Sequence, residues 1–205
     1  MEKIGFFESS IVLIKSRREI IFASTWTSTL ATIIAGKGIP PITESFLAII
    51  ANMLIVLSVY IYNDAIDKDM DAYSKKEKKK RRPIAQGIVS ENNAMRFVYL
   101  TGLIGLGVCL SLSRIVFSIG FIYYILLVLY SYPGVRLKNV FIIKNLVSSL
   151  FMPTAFLMSG VAVENKISLS MSFLAFAYYI LTVLVVPAIA DMLDVEEDLA
   201  FNIPS

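Results

Sequence analysis

The chain has 205 residues, 57% of them hydrophobic, a mean hydropathy of +0.72 and a formal net charge of +3. Soluble domains usually stay near about 45–50% apolar, so this composition argues against an ordinary soluble domain and against disorder, and points to a bilayer. With no histidine and a single cysteine, Cys109, an imidazole base, an intrachain disulfide and a zinc site are not expected; a metal here should be hard and oxygen-bound.

In chain order, Met1–Glu19 does not read as a cleaved leader. It carries acidic residues, its cations Lys15, Arg17 and Arg18 come late, and no small-residue cleavage site follows a short apolar stretch. A spanning helix needs about 20 mostly apolar residues. Six segments approach this: Ile20–Ala35, Phe46–Tyr62, Phe97–Leu112, Ile115–Tyr130, Asn145–Val163 and Leu169–Ala190. The runs are too long for strands and lack period-two alternation. The expected fold class is therefore all-α, a polytopic transmembrane bundle of about six spanning helices. Gly36, Gly38, Pro40 and Pro41 punctuate the end of the first span, and Pro133 and Gly134 follow the fourth. Gly102, Gly105 and Gly107 are expected to allow close helix packing. Cys109 is read as apolar filler.

Orientation follows from the cations. With the N-terminus on the cytoplasmic side, sixteen of the nineteen Lys and Arg fall inside, including the seven between Lys75 and Arg82. Only Lys37, Arg114 and Lys166 fall outside. This bias predicts a cytoplasmic N-terminus. Placed between apolar spans, the basic run is expected to be a solvated or lipid-attracted loop, not a nucleic-acid site.

Two acidic clusters then fall on that same side. The second span ends in Asn63-Asp64-Ala65-Ile66-Asp67-Lys68-Asp69-Met70-Asp71, and the sixth in Asp191-Met192-Leu193-Asp194-Val195-Glu196-Glu197-Asp198. Both contain D-x-x-D-x-x-x-D. Offsets of three and seven share one helix face, so each cluster should project three carboxylates, with Asp69 turned toward solvent. Such gathered charge is tolerable around divalent cations, and carboxylates completed by substrate phosphates are the usual Mg²⁺ environment. Charged helix ends are also ordinary at a membrane surface; the recurrence of the spacing favours a site.

At these residues the chain resembles UbiA-type intramembrane prenyltransferases. Asn63, Asp64, Asp67 and Asp71 match N-D-x-x-D-x-x-x-D, Arg82-Pro83-Ile84-Ala85-Gln86-Gly87 matches R-P-I-x-x-G, and Tyr130-Ser131-Tyr132-Pro133 with Arg136, Leu137 and Lys138 matches Y-S-Y-P-x-x-R-L-K. Lys144-Asn145 and the second acidic motif are similar too. The segment after Asp198 is shorter and less basic than the family's. The resemblance implies about nine helices, so residues 1–205 are expected to be a single domain lacking the last of them.

The resemblance also implies Mg²⁺-dependent transfer of a prenyl group from its diphosphate to a lipid-soluble acceptor, an aromatic quinone precursor or a glycerol-phosphate ether lipid. It implies a multi-pass protein of the cell membrane whose site faces the cytoplasm. Asn63, Asp64, Asp67, Asp71, Asp191, Asp194 and Asp198 would be catalytic, with Asp67, Asp71, Asp194 and Asp198 holding metal. Arg82, Arg136, Lys138 and Lys144 would bind diphosphate, and Arg17 or Arg18 is also expected to reach the site. Tyr123, Tyr124, Tyr130, Tyr132, Tyr178 and Tyr179 read as interfacial and packing residues, or as aromatic faces for a carbocation. A non-catalytic relative that binds prenyl diphosphate stays open. A CDP-alcohol phosphotransferase would need D-G and A-R pairs between its aspartates, which do not occur, and a transporter would place carboxylates near the midplane.

Overall fold

The computed structural model describes residues 4–74 and 81–200, without the side chains of Phe141 and of residues 186–200. The elements are α1 (Phe6–Ser16), α2 (Arg18–Ala35), α3 (Ile42–Ile66), α4 (Lys68–Tyr73), α5 (Glu91–Leu112), α6 (Arg114–Ser131), a 3₁₀ turn (Leu137–Asn139), α7 (Phe141–Ser148), α8 (Phe151–Glu164) and α9 (Leu169–Ala200). No strand occurs among the described residues. Among the described residues four stretches are long and apolar enough to cross a membrane: Ile42–Ile66, Glu91–Leu112, Arg114–Ser131 and Ile142–Glu164. Leu169–Val185 is a shorter apolar helix. Large apolar side chains cover the outside, among them Phe22, Trp26, Leu103, Ile122, Phe173 and Leu184. An apolar exterior of this extent suits lipid, not water.

Two of the six expected spans carry features that hydropathy alone does not give. The first, Ile20–Ala35, lies within α2, whose 18 residues begin with the charged Arg18 and Glu19 and which is not among those four stretches. Its pattern is inverted. Ser24, Thr27, Ser28 and Thr32 are buried, while Phe22, Trp26, Leu30 and Ile33 face outward. Inward hydroxyls suit a membrane bundle because they can hydrogen-bond across helices. Here the Asn52 amide nitrogen of α3 lies within hydrogen-bonding distance of the Ser28 hydroxyl (3.1 Å), the Ser159 hydroxyl (3.0 Å) and the Ala155 carbonyl (3.3 Å), its two N–H groups shared among them, tying α2, α3 and α8 at one buried point.

The fifth expected span, Asn145–Val163, falls within the crossing stretch Ile142–Glu164, and its helix is interrupted between α7 and α8. Pro153 has no N–H for the Ser149 carbonyl four residues earlier. Thr182 of α9 offers a donor there, its Oγ1 lying 3.0 Å from the Ser149 oxygen and 2.9 Å from the Tyr179 carbonyl that shares its proton, and the Ser149 hydroxyl lies 3.4 Å from the Thr182 carbonyl. Non-helical backbone is tolerated at membrane depth when neighbouring side chains satisfy it in this way.

α3 is central, packing on α2, α5, α6 and α8. Gly102 and Gly105 let α5 approach it. A Cβ at Gly105 would sit 3.1 Å from Ile55 Cγ1 and 3.2 Å from the Ile55 amide nitrogen. Gly107 has open space and does not serve the packing expected of it. Gly105→Ala should therefore destabilise the protein by about 1–3 kcal/mol through overpacking. Gly107→Ala should stabilise it by up to about 1 kcal/mol through helix propensity. Thermal unfolding in one detergent compares the two, and equal shifts would contradict the packing argument.

Candidate active site

The first acidic motif sits where α3 passes into α4. Asp67 closes α3 and opens α4, and its amide still bonds the Asn63 carbonyl (2.9 Å) while its own carbonyl accepts from Asp71 (2.8 Å). The helical ladder thus continues across the junction, and Asp64, Asp67 and Asp71 keep one face. All three are buried, whereas Asp69 is exposed as expected. Asn63 is fixed by α6, the Ser131 hydroxyl donating to its Oδ1 at 2.6 Å.

Each carboxylate is held by cations from other segments. Arg17, between α1 and α2, grips Asp64 with two nitrogens, Nε at 2.9 Å and Nη2 on the other oxygen. Its guanidinium also lies 5.6 Å from the Tyr60 ring centre, within cation–π range. Arg82 pairs with Asp71 and reaches Asp64 at 3.1 Å. Lys138 pairs with Asp67, whose other oxygen lies 3.4 Å from Arg136.

The R-P-I-x-x-G segment explains how Arg82 is aimed. Ile84 and Val89 are buried beside Leu13, Ile61 and Ala94. Between them the chain turns back, with Gln86 bonding the Arg82 carbonyl at 3.0 Å and Ile88 the Pro83 carbonyl at 3.0 Å. Gly87 takes φ +71°, where a side chain would be strained. The turn is thereby plugged into the core and presents Arg82 rigidly. On the opposite side Arg136 itself sits at φ 45°, capping the 3₁₀ turn that carries Lys138.

These groups edge a cavity of about 270 Å³. Asn63, Asp67, Asp71, Arg82, Lys138 and Lys144 give it one polar end; Tyr60, Tyr123, Leu127 and Phe151 line its apolar part. Tyr60 and Phe151 meet edge to face at 5.9 Å. Asp64 and Arg136 do not line the cavity; they stand one layer behind it. Of the tyrosines singled out by sequence, Tyr123 and Tyr130 line it. The others are engaged elsewhere or exposed: Tyr124 contacts Ser58, Tyr178 packs on Phe156, Tyr179 donates to the Leu146 carbonyl, and Tyr132 is exposed. Tyr60 was missed, although it lies three and seven residues before Asn63 and Asp67 and so shares their face. Of Arg17 and Arg18, it is Arg17 that reaches the acidic motif, through Asp64, and it does not line the cavity. The side chains of Asp191, Asp194 and Asp198 lie outside the described residues.

The local electrostatics fit a bound cation and a bound anion together. Burial pushes the Asp71 carboxyl up, and Arg82 beside it pulls it only part of the way back. Burial pushes the Lys138 amine down, and Asp67 compensates only in part. The carboxylate would be eased by more positive charge and the ammonium by more negative charge. Among the described residues no three carboxylates form a ready cage. Asp67 and Asp71 on the cavity therefore suit Mg²⁺ completed by phosphate oxygens, not an all-protein site.

Residues 24–205 match the model of the UbiA prenyltransferase family. The chain belongs to that family. This UbiA-family chain is 30% identical over 107 residues to a 4-hydroxybenzoate octaprenyltransferase of Shewanella woodyi, covering 52% of this chain and 37% of that protein. It is 28% identical over 107 residues to the protein of that name from Shewanella denitrificans, covering 52% and 36%. The matched stretch thus spans little more than a third of these curated relatives. Among solved structures, one reported for a digeranylgeranylglyceryl phosphate synthase superposes with a TM-score of 0.77 at 21% identity, covering 98% of this chain and 68% of that one. A UbiA homologue of Archaeoglobus fulgidus bound to GPP and Mg²⁺ superposes at 0.74 with 16% identity, covering 95% and 66%. These likenesses establish the fold of the UbiA-family chain as that of a polytopic integral membrane protein.

Proposed function

We propose that this chain transfers a prenyl group from a prenyl diphosphate to a lipid-soluble acceptor at the cytoplasmic face of the cell membrane. The observation that carries the reading is the cavity itself, which has carboxylates and cations at one end and aromatic and aliphatic walls behind them. Such a division matches an amphiphile with a polyanionic head and a hydrocarbon tail. The same metal-and-substrate pairing occurs in the Archaeoglobus homologue bound to GPP and Mg²⁺. The sixteen-to-three bias of the cations supports the orientation.

Asp67 and Asp71 would hold Mg²⁺ together with diphosphate oxygens, and Asp194 and Asp198 are proposed as the second pair, with Asp191 beside them. The metal supplies Lewis-acid stabilisation of the departing diphosphate. Arg82 is placed to hold diphosphate oxygens as a fork, and Lys138 and Lys144 as point charges. Asn63, fixed by Ser131, orients an amide at the polar end. Asp64 acts through Arg17 and Arg82 and is a positioning residue, as is Arg136 through Asp67. The aromatic walls exclude water from the allylic carbon, so that a ring or hydroxyl of the acceptor, an aromatic quinone precursor or a glycerol-phosphate ether lipid, captures it.

The test is incubation of the purified chain in lipid with labelled geranylgeranyl diphosphate and a panel of both acceptor classes, with and without Mg²⁺. Product formed only with Mg²⁺ is expected, and the productive acceptor assigns the class. Mg²⁺-dependent diphosphate binding without product would favour the second reading, a non-catalytic relative. Neither product nor binding would overturn both.

A further inference from the structure

We propose that Arg17 is a positioning residue for diphosphate binding: by holding the buried Asp64, it leaves Arg82 to serve the cavity. The inference rests on the prenyl-transfer reading above, in which Arg82 holds diphosphate oxygens. Neither Arg17 nor Asp64 lines the cavity, whereas Arg82 and Asp71 do. Two guanidinium groups share one carboxylate oxygen. Arg17 Nη2 and Arg82 Nη1 both reach Asp64 Oδ1, Arg82 at 3.1 Å, and Arg17 Nε lies 2.9 Å from the other oxygen. Arg82 Nη1 is also the nitrogen that pairs with Asp71. A single nitrogen of the cavity-lining arginine therefore stands between two buried carboxylates.

What decides which carboxylate Arg82 serves is Arg17. Asp64 is buried, so its charge must be met by protein groups and not by water. Arg17 meets it with a two-nitrogen fork, the stronger geometry for a carboxylate. The fork is itself fixed. Leu13, one turn earlier, is fully buried in the cluster that also holds Ile61 and Ile84, and the guanidinium lies 5.6 Å from the Tyr60 ring centre. Ile84 follows Arg82 by two residues, so one apolar cluster anchors the segments of both cations. Without the Arg17 charge, Arg82 is the remaining cation on Asp64 among the described residues, and Asp64 draws it away from the cavity. The balance shifts as well. With Arg17, Asp64 and Asp71 face two guanidinium groups; without it they face one, and an incoming diphosphate meets a site one charge more negative.

The experiment compares the unaltered chain, Arg17→Gln, Asp64→Asn and the double variant in lipid nanodiscs. It reads thermal unfolding and, below the lowest unfolding temperature, Mg²⁺-dependent binding of geranyl diphosphate. Arg17→Gln should weaken that binding by about tenfold or more, the loss expected when one charge-assisted hydrogen bond is diverted. Asp64→Asn should bind at least as tightly as the unaltered chain, because nothing then draws Arg82 back. The double variant should return to within about threefold of the unaltered chain, a coupling between the two positions that two independent losses would not show. Unchanged binding in Arg17→Gln, or a folded Asp64→Asn or double variant that binds as weakly as Arg17→Gln, would overturn the inference while leaving prenyl transfer intact. If Arg17→Gln does not fold, Asp64→Asn and the double variant decide: binding close to the unaltered chain in both is expected, and a loss of about tenfold in either overturns the inference. Absence of Mg²⁺-dependent geranyl diphosphate binding in the unaltered chain would overturn the prenyl-transfer reading and this inference with it.

Discussion

Asp67→Asn should reduce Mg²⁺-dependent prenyl transfer by at least about a hundredfold in kcat/KM, the range seen when one electrostatic contact to a developing charge is lost. The substitution keeps the side chain's shape and removes its charge. Asp67 faces the cavity and is the carboxylate that Lys138 and Arg136 share. Without it the polar end keeps its cations and should still attract diphosphate, but loses a hard anionic oxygen for the metal. The loss should therefore show as weaker Mg²⁺ dependence before it shows as weaker diphosphate binding. Asp69→Asn, two residues along and exposed, should leave both unchanged. Steady-state kinetics over a range of Mg²⁺ for the three proteins checks this; equal losses in Asp67→Asn and Asp69→Asn would point to general surface charge instead.

Arg17→Gln should be among the most destabilising single changes on the cytoplasmic side, by about 3–5 kcal/mol, because it strips a partner from a buried carboxylate. Asp64 is 2% exposed and receives two guanidinium nitrogens from Arg17. Arg82 at 3.1 Å remains, which places the effect toward the lower end of that range. Arg18→Gln, at an exposed neighbour, should shift stability by no more than about 0.5 kcal/mol. The pair Arg17→Leu with Asp64→Leu should recover much of the loss, since a buried ion pair replaced by apolar groups is often close to neutral. Thermal unfolding of the four proteins in one detergent decides it, and an Arg17→Gln protein as stable as the unaltered one would make the pair dispensable for the fold.

These two residues also show how unevenly the site could be read. Asp67 announced itself through spacing, because a helix converts offsets of three and seven into one face and no tertiary information is needed. Arg17 did not. Arg17 and Arg18 are adjacent, equally charged and equally consistent with a positive-inside signal. What separates them is that Arg17 occupies the corner between α1 and α2, from which its side chain reaches Asp64, 47 residues later in the chain. Tyr60 is an intermediate case: it shares the helix face of Asn63 and Asp67, but a lone tyrosine in an apolar span reads equally well as packing.

The same division runs through the fold. The helical class and the spans at residues 42–66, 91–112 and 114–131 follow from length and hydropathy, since an uninterrupted backbone in lipid must satisfy its own hydrogen bonds. The break between α7 and α8 follows only partly. Pro153 is visible as a missing donor, but that the Ser149 carbonyl is rescued by Thr182, 33 residues away, is a fact of packing. α2 is the clearest instance, its buried Ser and Thr stripe turned inward to Asn52 and α8 while its apolar residues face outward. Sequence alone determined the membrane class, the likeness to the family and the helix face that carries Asp64, Asp67 and Asp71, because periodicity and composition are local. Only the tertiary structure decided which cation meets which carboxylate, and that Asp64 and Arg136 stand behind the cavity, because each depends on how separate helices come together.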